Sequence, residues 1–193
     1  MTADEFWRWF VSAAAELRGA DGQLVADRVE GRLRDFDPRI GVEVSEPGDE
    51  RELIFTAWSQ AEAFGAVHAL MSAAPRELPG WKLIALKPPR GFSFGIDVDG
   101  LRIDAAKLKF DALASPQAPE ALGVRVYVTG APASDERWPG ALALIIETGI
   151  GEDAAAQINH IEPFDGPPPD ERSLPIDQLL PYVQWHRRKY PRT

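Results

Sequence analysis

Residues Trp138 to Asp165 read WPGALALIIETGIGEDAAAQINHIEPFD, and the order of elements in this stretch decides the fold class: an apolar helix, a glycine-acid connection, then a short strand. Pro139 suits a first helical position, and the ALALIIE that follows holds strong helix formers with no breaker before Gly149. Its apolar residues face every direction, which predicts a helix buried on most sides. Gly149 and Gly151 accept positive φ and are read as ending the helix, leaving Glu152 and Asp153 on the connection. In the strand, strict alternation puts Ile158, His160, Glu162 and Phe164 on one face and Asn159 and Ile161 on the other.

Outward from that stretch, the period of the apolar residues changes several times. Thr2 and Glu5 have capping-box spacing, and Phe6, Trp9, Phe10, Ala13, Ala14 and Leu17 recur at helical intervals. A second helix is expected over residues 23–36, with Val25, Val29, Leu33 and Phe36 on one stripe and Pro38 beyond it. Alternation then takes over: Ile40, Val42 and Val44, a SEPGDE turn and ELIFTAW form a first hairpin. Ser59 and Glu62 read as a second capping box, opening a helix with Phe64, Val67 and Met71 on one stripe, His68 at its edge and Pro75 at its end. WKLIALKPP is a strand. FSFGIDV and LRIDAAKLKF form a hairpin about Asp99-Gly100, with the alternation slipping after Ala105 as at a bulge or a strand break. SPQAPEALG reads as a loop and GVRVYVTG as a further strand.

The result is an α+β fold, a mainly antiparallel sheet covered by an N-terminal helix pair and two later helices. The element order is compatible with two related ββαβ-like halves, although no residue-level repeat accompanies it. We expect one domain over residues 1–165, a proline-rich linker at 166–175, and a C-terminal helical arm at 176–193 that docks on its own chain and ends in Arg187, Arg188, Lys189 and Arg192.

Composition removes several function classes. A net charge of −9 speaks against a phosphate-backbone partner. The absence of cysteine excludes disulfides, thiolate catalysis and cysteine-ligated metal centres. Asp4, Glu5 and Arg8 spoil a signal-peptide pattern in the first apolar run, and no stretch approaches a membrane span, so the expectation is a cytoplasmic protein with no membrane partner, monomeric or homodimeric.

Three motifs carry a likeness: FWRWF at 6–10, APRELPGWKLIALKP at 74–88 and IIETGIGEDAAAQINHIE at 145–162. In these the chain resembles a group of small, uncharacterised bacterial proteins with an FWxWF opening helix, an Ala-Pro turn before a tryptophan-headed strand, and a glycine-acid segment after a late apolar helix. The resemblance implies a shared fold up to about Asp165 and brings no activity, cofactor or catalytic residue.

No GxSxG elbow, Walker A segment or GxGxxG fingerprint is present. The candidates for catalysis are Glu147, Glu152, His160 and Glu162. His160 and Glu162, with Glu147 or Glu152, have the chemistry of an open zinc, manganese or iron site in a metal-dependent hydrolase; Glu147 and Glu152 alone have that of an acid–base pair. Against these stands a noncatalytic binding or protein-interaction module without cofactor, meeting a protein or small-molecule partner through anchors among Trp58, Trp81, Trp138 and Trp185. The absence of a catalytic motif favours the module.

Overall fold

The computed structural model describes residues 1–168 and 173–191. It is an α+β protein whose sheets are mostly antiparallel. Its internal contacts divide the chain into two compact units, Met1–Lys87 and Pro88–Thr193. The division at Lys87 falls within the single domain expected over residues 1–165.

In the first unit, α1 (Ala3–Arg18) opens on the expected capping box: Thr2 Oγ1 accepts the Glu5 N–H at 3.2 Å, and Glu5 Oε2 accepts the Thr2 N–H at 2.7 Å. It buries Phe6, Trp7, Phe10 and Leu17. Helix α2 (Gly22–Leu33), capped by Asp21, buries Val25, Val29 and Leu33. The strands are β1 (Gly41–Val44), β2 (Arg51–Thr56) and β3 (Trp81–Ala85), with α3 (Phe64–Ser72) between the last two. β2 lies in the middle, antiparallel to β1 and parallel to β3. Arg51 is fully buried beneath the end of α1, where Nη1 donates to the carbonyls of Leu17 at 3.0 Å and Ala20 at 2.8 Å. A buried cation is well placed there, at the carbonyl end of the helix where the macrodipole favours positive charge.

The second unit contains β4 (Gly95–Val98), β5 (Leu101–Asp104), β6 (Lys109–Ser115), β7 (Ala118–Val128), α4 (Arg137–Ile150), α5 (Glu152–Ala155), β8 (Ile158–Asp165), β9 (Leu174–Pro175) and α6 (Leu179–Lys189). β4 and β5 pair about Asp99 and Gly100, both at positive φ, as the dipeptide predicts. The larger sheet has the order β8-β7-β6-β9, with β7 antiparallel to β6 and parallel to β8. Thus β6-β7-α4-β8 repeats the order and directions of β1-β2-α3-β3, so each unit holds one ββαβ arrangement. Val124, Val126 and Val128 meet Trp138, Leu142, Ile145 and Ile146 of α4 in one apolar core.

Several expectations change. Helix α4 begins at Arg137 and is buried along one side only, for Leu144 is 50% exposed. Gly149 lies inside it, pressed against the Phe92 ring, where a Cβ has no room. Glu152 and Asp153 open α5 rather than lying on a connection. The expected SPQAPEALG loop contracts to a tight turn because β6 and β7 continue to Ser115 and from Ala118. The Ser59–Glu62 capping box does not form: Ser59 is at φ +59°, outside the extended region an N-cap uses, and the chain enters its first turn at Gln60 with no side-chain cap. Ala105–Lys107 is a 3-10 turn, the strand break that the slipped alternation signals. Of the expected linker, Leu174–Pro175 pairs with β6 as β9; Pro169 to Arg172 lie outside the described residues, as does Arg192 of the basic tail. The C-terminal arm docks on its own chain: Ile176, just before α6, and Leu179 and Val183 within it are buried in the core of the second unit.

Candidate functional site

The four acid and histidine candidates are distributed over three settings. Glu147 is half-buried in the last turn of α4 and Glu152 is wholly buried at the start of α5, on either side of Gly149-Ile150-Gly151. The loop at Arg90 and Gly91 is pinned against this helix end, its two N–H groups donating to the carbonyls of Thr148 and Gly149 at 3.0 Å each. His160 and Glu162 lie on β8, away from the apolar core. Here alternation fails at one residue. Asn159 bulges out of register and its Oδ1 accepts the Leu122 N–H at 3.0 Å, so Ile158 and Ile161 both pack against the core. His160 is exposed, and Glu162 is bound to Arg125 of β7 at 3.0 Å. Among the described residues no group of three or more His, Asp or Glu side chains is placed to hold a metal ion.

Glu162 belongs to a network on the outer face of the sheet. The Arg125 guanidinium lies 4.4 Å from the Phe164 ring, which meets Tyr127 edge-on at 5.8 Å. The Tyr127 hydroxyl donates to Asp111 Oδ2 at 2.5 Å; that bond, aided by burial, holds the phenol above its usual value of 10.0, so Tyr127 remains a donor at neutral pH.

Tyr127 also borders a cavity of about 530 Å³. Its position follows from the topology. Thr129 follows β7 and Gly166 follows β8, so both parallel strands end at its wall; β6 runs the opposite way and brings in Lys109, the cross-strand partner of Tyr127. The crevice beyond the carboxyl ends of parallel strands is where the strand-to-helix connections leave room for a ligand. Ile103, Leu108, Pro167 and Pro168 supply apolar wall, and Trp138 of α4 contributes its indole.

The chemistry at this wall is unusual in two respects. Trp138 is 0% exposed, yet its Nε1–H has no hydrogen-bond partner among the described residues. A buried donor left unpaired costs about 1–3 kcal/mol. Secondly, in a chain of net charge −9 the described residues of the lining include Arg102, Lys107 and Lys109 and a single acid, Asp104. Lys107 bonds Asp104 at 3.0 Å and Arg102 bonds Asp97 at 3.2 Å, both through exposed side chains.

The tryptophans named as anchors divide evenly. Trp81 and Trp138 are buried, whereas Trp58 is 48% and Trp185 41% exposed, each beneath a lysine, Lys87 and Lys189, whose Nζ lies 4.6 and 4.7 Å from the ring. Sequence reasoning missed Arg102, Lys107, Lys109 and Thr129. The only signal near them was the broken alternation after Ala105.

No family model, curated protein or solved structure matches this chain. The likeness drawn from the three motifs stands on those motifs alone, and the functional reading rests on the geometry.

Proposed function

We propose that this chain is a noncatalytic binding module whose second unit takes a small molecule in the cavity beyond the carboxyl ends of β7 and β8. The observation that carries the reading is that Trp138, a lining residue of that cavity, keeps a buried indole N–H with no partner among the described residues. Apolar walls with a few convergent polar groups are what a small-molecule site requires, and Tyr127, Thr129 and the two lysines supply the polar part. Two of the polar side chains on this sheet are engaged structurally: Glu162 holds Arg125, and Asp111 holds Tyr127.

The test uses 2-naphthamide, an uncharged aromatic with a carbonyl acceptor. In proton–nitrogen correlation spectra the indole signal of Trp138 is the one missing from Trp138→Phe. Titration of the wild-type chain should shift that signal in a saturable way. Thr129→Trp, a change at an exposed position on the cavity mouth, should abolish the shift while leaving the unfolding temperature intact. A Trp138 signal unmoved at saturating amide would refute the site.

A further inference from the structure

We infer that the ligand of this cavity is an organic anion, with its charge at the lysine rim and its apolar body against Ile103 and Leu108. This inference rests on the proposed function and adds the chemical class of the ligand. It comes from the contrast between the lining and the rest of the chain. Among the described residues three cations and one acid line the mouth, while acids outnumber bases 30 to 21 in the whole sequence. Lys109 has no ion-pair partner among the described residues, and the Lys107–Asp104 pair, 83% and 49% exposed, is weakly bound and easily exchanged for a ligand anion.

The amino end of α4 is not the source of the preference. Asp135 already occupies it, with Oδ1 accepting the Arg137 N–H at 3.0 Å and the carboxylate gripping the Arg137 guanidinium at 2.9 and 2.7 Å. The charge that selects the ligand is on the lysines, and the geometry that admits its body is the apolar wall. An aromatic or alicyclic carboxylate satisfies both demands.

The experiment compares 2-naphthoate with 2-naphthamide, which have the same body and a carbonyl oxygen but differ in charge, on the full-length wild type and on the Lys107→Gln/Lys109→Gln double variant. Both positions are solvent-exposed, and unfolding temperature checks that the variant is folded. For exposed charges the expected preference for naphthoate in the wild type is about three- to tenfold, smaller at high salt, falling towards parity in the variant. Equal affinities in the wild type would overturn the anion inference and leave the cavity reading in place. A preference that survives in the variant would overturn the assignment to the lysines. If neither probe moves the Trp138 signal, the inference falls together with the function it rests on.

Discussion

Gly149 and Gly140 occupy the same helix with opposite consequences. A Cβ on Gly149 would enter the Phe92 ring, whereas one on Gly140 meets nothing within 4 Å. Gly149→Ala should cost about 1–3 kcal/mol by overpacking, and Gly140→Ala should gain about 0.5–1 kcal/mol by restraining the unfolded chain. Urea denaturation of the two variants checks the contrast; equal effects would contradict it. Asp135 offers a second handle at this scale. The forked bonds from the Arg137 side chain, with its N–H, hold the carboxyl at about 2, below the usual 3.8. A carboxyl whose value is lowered by folding stabilises above its unfolded value and loses that contribution as pH falls. The gap in melting temperature between wild type and Asp135→Asn should therefore be constant near neutrality and close between about pH 4 and pH 2. A gap unchanged down to pH 2 would be inconsistent with the pairing. Asp37 and Arg39 repeat the motif at the same spacing, with side-chain bonds of 2.9 and 2.6 Å, and Asp37 is also held at about 2. Such i, i+2 pairs lie within reach of a sequence reader. The Arg125–Glu162 pair, 37 residues apart, does not, because it depends on which strands become neighbours.

At the scale of elements, periodicity located most helices and strands because burial imposes it. The stripe of Phe6, Phe10, Ala13 and Leu17 in α1 and the Asp99-Gly100 hairpin are as the sequence reads. It failed where one residue changes the register or a side chain serves a distant backbone. Alternation through β8 was defeated by the Asn159 bulge, and nothing local distinguishes Arg51 of β2 from a surface arginine. Yet Arg51 is 0% exposed, donates from Nε to the Ser45 carbonyl at 2.7 Å, and lies 5.7 Å from the Trp81 ring. Arg51→Met keeps the apolar stem and removes the donors to the carbonyls of Leu17, Ala20 and Ser45. The expected loss is about 1–3 kcal/mol, read from the denaturation midpoint. A variant as stable as the wild type would show that water replaces the guanidinium without cost.

For the whole molecule, the α+β class was legible from the alternation of periods, while the division at Lys87 was not. It arises because each ββαβ arrangement closes around its own apolar core, which is a matter of strand pairing rather than local pattern. The parallel pairings of β2 with β3 and β7 with β8 are equally non-local. Without the second, the carboxyl-end cavity and its lysines have no place in a sequence reading, and attention goes to the denser acids at 147–162. The C-terminal helix shows the same limit: a proline-rich approach reads as a linker, although Leu179 and Val183 complete a core. Truncation after Pro168 should therefore lower the melting temperature sharply, and an unchanged transition would restore the appendage.

The central claim is that the cavity beyond β7 and β8 is where this protein binds. Its most direct test is a set of isotope-filtered Overhauser contacts from bound 2-naphthamide to the protein. The account predicts contacts to the methyl groups of Ile103 and Leu108 and to the Trp138 indole proton. Contacts instead to Met71 and Leu78, at the groove of the first unit, would contradict it.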